Sequence, residues 1–124
     1  MAAPNIVNTG NIFGRTYGNV LTTSNFVQVS NPAASGNVIK INTIMISNVY
    51  AGGAANASIE LNASATGAGQ ATRLASAVSI PAQASLILID KSTSFYLEEN
   101  TSIKGFASSN SNCEIMISYE VISL

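Results

Sequence analysis

Cys113-Glu114-Ile115-Met116-Ile117-Ser118-Tyr119-Glu120-Val121-Ile122 is the stretch on which the architecture of this chain turns. Cys113, Ile115, Ile117, Tyr119 and Val121 share one face of an extended segment, while Glu114, Ser118 and Glu120 share the other. A period of two held over this length is the signature of a half-buried β-strand. Working back toward the N-terminus, the same pattern recurs in Ser102-Ile103-Lys104-Gly105-Phe106-Ala107, behind a break at Asn100-Thr101. It recurs again in Ser94-Phe95-Tyr96-Leu97-Glu98-Glu99 and in Ser85-Leu86-Ile87-Leu88-Ile89-Asp90, which follows Ile80-Pro81-Ala82-Gln83. Short strands repeated between polar breaks predict a sandwich or barrel.

The first two thirds of the chain extend the pattern. Asn25-Phe26-Val27-Gln28-Val29 reads as a strand ended by Asn31-Pro32-Ala33-Ala34-Ser35-Gly36. In Val38-Ile39-Lys40-Ile41-Asn42-Thr43-Ile44-Met45-Ile46 the apolar parity changes between Ile41 and Ile44, which predicts a bulge or a sheet switch near Asn42-Thr43. Ala57–Ala63 alternates with Ile59 and Leu61 inward, and Thr66-Gly67-Ala68-Gly69-Gln70 reads as the most flexible loop. Leu74–Ile80 is a further strand, stopped by Pro81. Leu86-Ile87-Leu88-Ile89 is apolar on both faces, so something beyond its own sheet is expected to cover it. Nowhere do apolar residues recur at helical spacing. The prediction is an all-β, antiparallel, jelly-roll-like β-sandwich of about eight or nine strands. It spans residues 25–124, and residues 1–24, rich in Asn, Gly and Thr with glycines at 10, 14 and 18, form an extended N-terminal arm that holds at most one strand, near Tyr17–Leu21, and either lies along its own domain or reaches onto a neighbour.

Composition narrows the function. At 124 residues the chain is one domain with one core. Charged residues are 9% of it, against about 25% in ordinary soluble domains. A surface built from Ser, Thr, Asn and Ala has little charge repulsion to oppose association, which favours life in an assembly. Net charge is −1, and Arg15, Lys40, Arg73, Lys91 and Lys104 stand singly, so nucleic acid is not an expected partner. No apolar run approaches the roughly 20 residues of a membrane helix, and no membrane partner is expected. Met1-Ala2-Ala3-Pro4-Asn5 has neither the basic nor the apolar part of a signal peptide. The single cysteine, Cys113, can form no internal disulfide and sits on an apolar face, where a buried, inert thiol is expected.

Few reactions can be staffed from this inventory. With no histidine the usual triad is unavailable, and Lys91-Ser92 and Ser102-Ile103-Lys104 supply only the letters of a Ser-Lys pair. Zinc sites of His and Cys are excluded by count. Asp90, Glu98 and Glu99 offer oxygens for calcium, but no Asp-x-Asp-x-Asp-Gly loop accompanies them, and Glu98-Glu99 reads as a solvated pair. Gly52-Gly53 and Gly67-Ala68-Gly69 lack the Lys-Ser/Thr of a phosphate cradle. We therefore expect no enzyme, no cofactor and no metal. Phe13 and Tyr17, aromatics on a polar arm, are candidate anchors for a neighbouring subunit. With them go Ile6, Val7 and Ile12 from the arm, and Ile87 and Ile89 from the doubly apolar strand, as the candidate assembly interface.

Taken in order, Ile44-Met45-Ile46-Ser47-Asn48-Val49, Ile80-Pro81-Ala82-Gln83-Ala84-Ser85-Leu86, Phe95-Tyr96-Leu97-Glu98-Glu99 and Ile117-Ser118-Tyr119-Glu120 carry a resemblance. With the opening Ala3-Pro4-Asn5-Ile6-Val7, the chain resembles, over nearly its whole length, small virion structural proteins of tailed marine bacteriophages, particularly those of cyanobacteria. That resemblance implies a jelly-roll domain that decorates or cements a capsid, commonly as a homotrimer. Its partners would be itself and the major capsid protein or another virion protein. It would be made in the host cytoplasm and reside on the particle surface. The alternative it leaves open is a tail, neck or fibre module that binds a host receptor or glycan. On the decoration reading, a chain lacking residues 1–18 is expected to fold but not to add to particles.

Overall fold

In the computed structural model, residues 10–123 are described. Nine strands run through them: β1 (Asn11–Val20), β2 (Phe26–Asn31), β3 (Asn37–Asn48), β4 (Ala55–Asn62), β5 (Ala71–Ile80), β6 (Ser85–Ile89), β7 (Phe95–Leu97), β8 (Thr101–Ala107) and β9 (Cys113–Ser123). A 3-10 turn, Lys91–Thr93, joins β6 to β7. One sheet has the order β1-β9-β3-β6, with β7 also paired to β3, and the other has the order β2-β8-β4-β5. Every pairing is antiparallel. The pairs β1–β9, β2–β8, β3–β6 and β4–β5 nest inside one another as in a long hairpin wound around a barrel. That winding is the jelly roll, and the all-β sandwich expected from the alternation is the fold observed.

The core lies between the sheets and is unequal on its two sides. Ile39, Ile41, Ile44 and Ile46 of β3, with Ile115 and Ile117 of β9, supply bulk from the first sheet. The second contributes Val29, Ile59, Ile80 and Ile103, and alongside them the small Ala55, Ala57, Ala75 and Ala107. Small residues there let the large ones interdigitate. Gly105 marks the tightest point: a Cβ at that position would lie 2.6 Å from Ile59 Cδ1 and 3.7 Å from Leu21 Cδ2. A side chain at Gly105 would require Ile59 to shift.

The parity change in β3 has a local cause. The register against β9 shifts between Ile41 and Thr43, so Asn42 is the extra residue and Ile41 and Ile44 both point inward. Asn42 then donates its side-chain amide to Glu120 Oε1 at 3.1 Å across the outer face.

Three expectations need correction. Much of the expected arm is not separate from the sandwich, because β1 takes ten consecutive partners on β9, from Asn11↔Ser123 to Val20↔Glu114. Leu21, which follows it, is fully buried and donates its N–H to the Cys113 carbonyl. The loop around Gly67 is tied down: Asn62 Oδ1 accepts from the N–H groups of Ser64 and Gly69, Ser102 Oγ donates to Ser64 O, and Lys104 Nζ donates to Gly67 O. Glu98-Glu99 is not a solvated pair, since Glu99 is buried while Glu98 is exposed.

Candidate assembly surface

Alternation places one side chain in two of the first sheet on its outer face, away from the core, and the register lines them up in rows. Ile12, Ile122 and Val38 form one row, in which Ile12 is exposed while Ile122 and Val38 are buried, and Gly14, Glu120, Lys40 and Tyr96 form the next. Further along come Gly18, Met116, Met45 and Ile87, then Val20, Glu114, Ser47 and Ser85. Because Gly18 presents no side chain, a groove of about 540 Å³ opens beside Val20, with Met45, Met116, Ser47 and Glu114 among its walls. The outer face is thus apolar in stripes and lightly charged.

The candidate interface residues fall into different places. Ile6 and Val7 lie outside the described residues. Ile12 and Phe13 are 54% and 53% exposed, on opposite sides of β1. Tyr17 is half-buried against the core and donates its hydroxyl to Gln28 Oε1 at 3.0 Å, with Asn19 donating to the same hydroxyl at 2.9 Å. It ties β1 to β2 within the chain, and so does not serve as a free anchor. Ile87 is 62% exposed on the outer face opposite Met45. Ile89 must be removed from the set: a register shift in β6 turns it inward, opposite Ile44, where it joins the core. That shift lets four consecutive apolar residues stay in one strand with Ile87 alone strongly exposed.

The residues considered for chemistry are spoken for locally. Asp90 caps the 3-10 turn, accepting from Ser92 N at 2.9 Å and Ser92 Oγ at 2.6 Å, and these bonds hold its carboxyl below the usual range. Ser102 and Lys104 each donate to a loop carbonyl rather than to one another. Cys113 is fully buried, and burial pushes its thiol up. No group of three His, Cys, Asp or Glu able to hold a metal occurs among the described residues.

One charged cluster was not visible in the alternation. Glu60 of β4 is 3% exposed although it faces away from the core. Burial by itself raises its carboxyl, but the Asn62 and Asn25 amides, at 3.0 and 2.8 Å, outweigh that together with the charges of Lys104 and Arg73. The net effect is a lowered pKa. Arg73 Nε stands 4.0 Å from Glu60, and its guanidinium lies 5.6 Å from the centre of the Phe106 ring. The available signal was the asparagines at 25 and 62, each able to donate to a carboxylate.

No family model matches the chain, and no curated protein matches it. Among solved structures, it is similar to a protein described as "Bacillus endospore appendages form a novel family of disulfide-linked pili". The TM-score is 0.53 at 8% identity, covering 92% of this chain and 88% of that one. A second similarity is to a chain from a crystal structure of the T13 IBDV viral particle, with a TM-score of 0.35 at 8% identity. It covers 93% of this chain and 32% of that one, so the present chain spans about a third of its length. At such identities the first similarity speaks for the fold alone. The class defined is therefore a single jelly-roll β-sandwich whose first sheet presents an apolar, weakly charged outer surface.

Proposed function

We propose that this protein is a structural component of a phage particle, a decoration or cement protein that binds the capsid surface as an oligomer and catalyses no reaction. The observation that carries the reading is the exposed apolar side chains on the outer face of the first sheet, Val20 and Ile87 at one end and Ile12 at the other, with Phe13 exposed on the opposite side of β1. Large apolar side chains left in water on one sheet face are candidates for contact with a partner. The low charge of the chain, 9% of residues, supports the same reading, as does the sequence resemblance to virion structural proteins. The first structural neighbour is described as forming disulfide-linked pili, so a chain of similar fold builds assemblies. In this chain the buried Cys113 leaves only non-covalent contacts for that purpose. Multiplied over a symmetric particle, weak apolar contacts become firm attachment. The homotrimer is the oligomer that the resemblance favours.

Virions purified from the source host, analysed by mass spectrometry and imaged at subnanometre detail, test the proposal. The chain should be present in copy numbers set by capsid symmetry and seated across joints between capsid subunits. Density at a tail, neck or fibre would instead favour receptor or glycan binding. Absence from particles, or turnover of an ester, glycoside or peptide by the pure protein, would overturn it.

A further inference from the structure

Of the edges in the two sheets, three are blunted against pairing with another chain. β2 has six residues and a register shift between Val27 and Val29. β5 pairs with two shifts and holds Ala77 at φ 50°. The edge shared by β6 and β7 is built from strands of five and three residues, the first shifted. Bulges and short lengths are the usual devices that keep a sheet edge from adding strands. β1 has none of them. Its ten residues run in unbroken register with β9, contain no proline, carry one charge at Arg15, and have no partner on their other side among the described residues.

The direction of its backbone groups follows from one hydrogen bond. Leu21 N–H donates to Cys113 O, so odd-numbered residues turn both backbone groups toward β9. Ile12, Gly14, Thr16, Gly18 and Val20 therefore turn theirs to the open edge. Two of the five are glycines whose missing Cβ atoms meet no neighbour closer than 4.0 Å, so packing within the chain does not require them. Glycine at such a place in a strand marks close approach by another backbone.

We propose that β1 pairs antiparallel with β1 of a second copy of this chain, joining the two first sheets into one continuous sheet across a two-fold axis. One register makes the strand complementary to itself. With Thr16 opposite the partner's Thr16, Gly14 faces the partner's Gly18 and Ile12 faces the partner's Val20, all residues with edge-directed backbone groups. Arg15 then lies opposite the partner's Tyr17, where a cation and an aromatic ring attract. Sliding the partner two residues so that Arg15 meets Arg15 would put like charges face to face, which selects against that register. The pairing rests on the assembly reading above, with a two-fold pair in place of the homotrimer that the resemblance implies, and it does not need the particle. Dimers that ignore particles would sink that reading alone, and particle binding by monomers would sink this one alone.

Light scattering and sedimentation of the full chain test it first. The mass should be an even multiple of 12.8 kDa, and a monomer or an odd multiple, a trimer included, overturns the pairing. Amide hydrogen exchange on the unmodified protein tests the edge itself. Gly14, Thr16 and Gly18 amides should be protected as strongly as those of Arg15 and Tyr17; fast exchange at the even positions overturns it. Protection that arises only on mixing with another virion protein would assign the edge to that protein instead. Thr16→Pro removes one edge donor without touching the β9 ladder, and should give a folded protein whose dimer dissociates at least tenfold more readily. A Thr16→Pro protein that keeps the parent's dimer affinity also overturns the pairing.

Discussion

Glu60 shows how a polar surface of amides can hold a charge out of water. Its carboxylate accepts from Asn25 and Asn62 and sits under the charges of Lys104 and Arg73, and the sum lowers its pKa from 4.5. A lowered carboxyl contributes stability that is full above its unfolded-state pKa and is lost as pH falls through the folded-state value. Glu60→Gln should therefore be less stable than the parent at neutral pH, by about 1–3 kcal/mol, because an amide cannot accept from both asparagines. The two urea midpoints should draw together in acid; a gap that stays constant with pH would argue that Glu60 is not ionised in the fold. Asn48 works without charge: fully buried, it donates to the carbonyls of Gly53, Ile80 and Pro81 and accepts from Tyr50 N–H. Asn48→Ala leaves those buried carbonyls short of a donor and should cost about 1–3 kcal/mol in thermal or chemical unfolding. In the sequence, such asparagines looked like mere surface polarity. Nothing in a period of two separates a solvated amide from one that locks two loops.

At the scale of elements, what could be read was whatever the isoleucines recorded. The bulge at Asn42 was visible because Ile41 and Ile44 cannot both face inward without an extra residue. β9 was visible because its alternation never breaks. Of β1 only the end near Tyr17–Leu21 was legible, because Gly14, Gly18 and Asn19 interrupt its apolar pattern, and the strand is held by backbone bonds to β9. β7 shrank to Phe95–Leu97 because the capped turn at Asp90 and the left-handed Asn100, φ 59°, bound it closely on both sides. Ile89 was misplaced for a similar reason, since a shift in backbone register leaves no trace in a run of Leu and Ile. Two substitutions test this account. Tyr17→Phe removes the hydroxyl that ties β1 to Gln28, and should loosen β1 by about 0.5–1.5 kcal/mol. Faster exchange of the Arg15 and Tyr17 amides, with β3 amides unchanged, is the expected record. Gly105→Ala forces a methyl group into Ile59 and should destabilise the whole domain by about 1–3 kcal/mol. An unchanged melting temperature would mean that Ile59 moves aside freely.

For the whole molecule, the nested pairing of distant strands lay beyond any local pattern, because β1–β9 and β2–β8 join the two ends of the chain. The correction to the arm also changes what a truncation would do. Removing residues 1–18 takes away most of β1 and bares β9, so loss of assembly in that variant would not separate docking from a damaged sheet. Substitutions at the open edge are the cleaner probe. Thiol chemistry distinguishes this jelly roll from its disulfide-linked neighbour in fold. Cys113 is fully buried on β9 between strands β1 and β3, and burial raises its thiol pKa, so the reactive thiolate is doubly scarce in the native state. An alkylating reagent should therefore modify it only as fast as the domain unfolds, and added denaturant should accelerate labelling in step with unfolding. Assemblies of the chain should likewise keep their mass in excess reductant. Reductant-sensitive assemblies would require Cys113 to leave the core, and with it the sheet order on which the open edge of β1 depends.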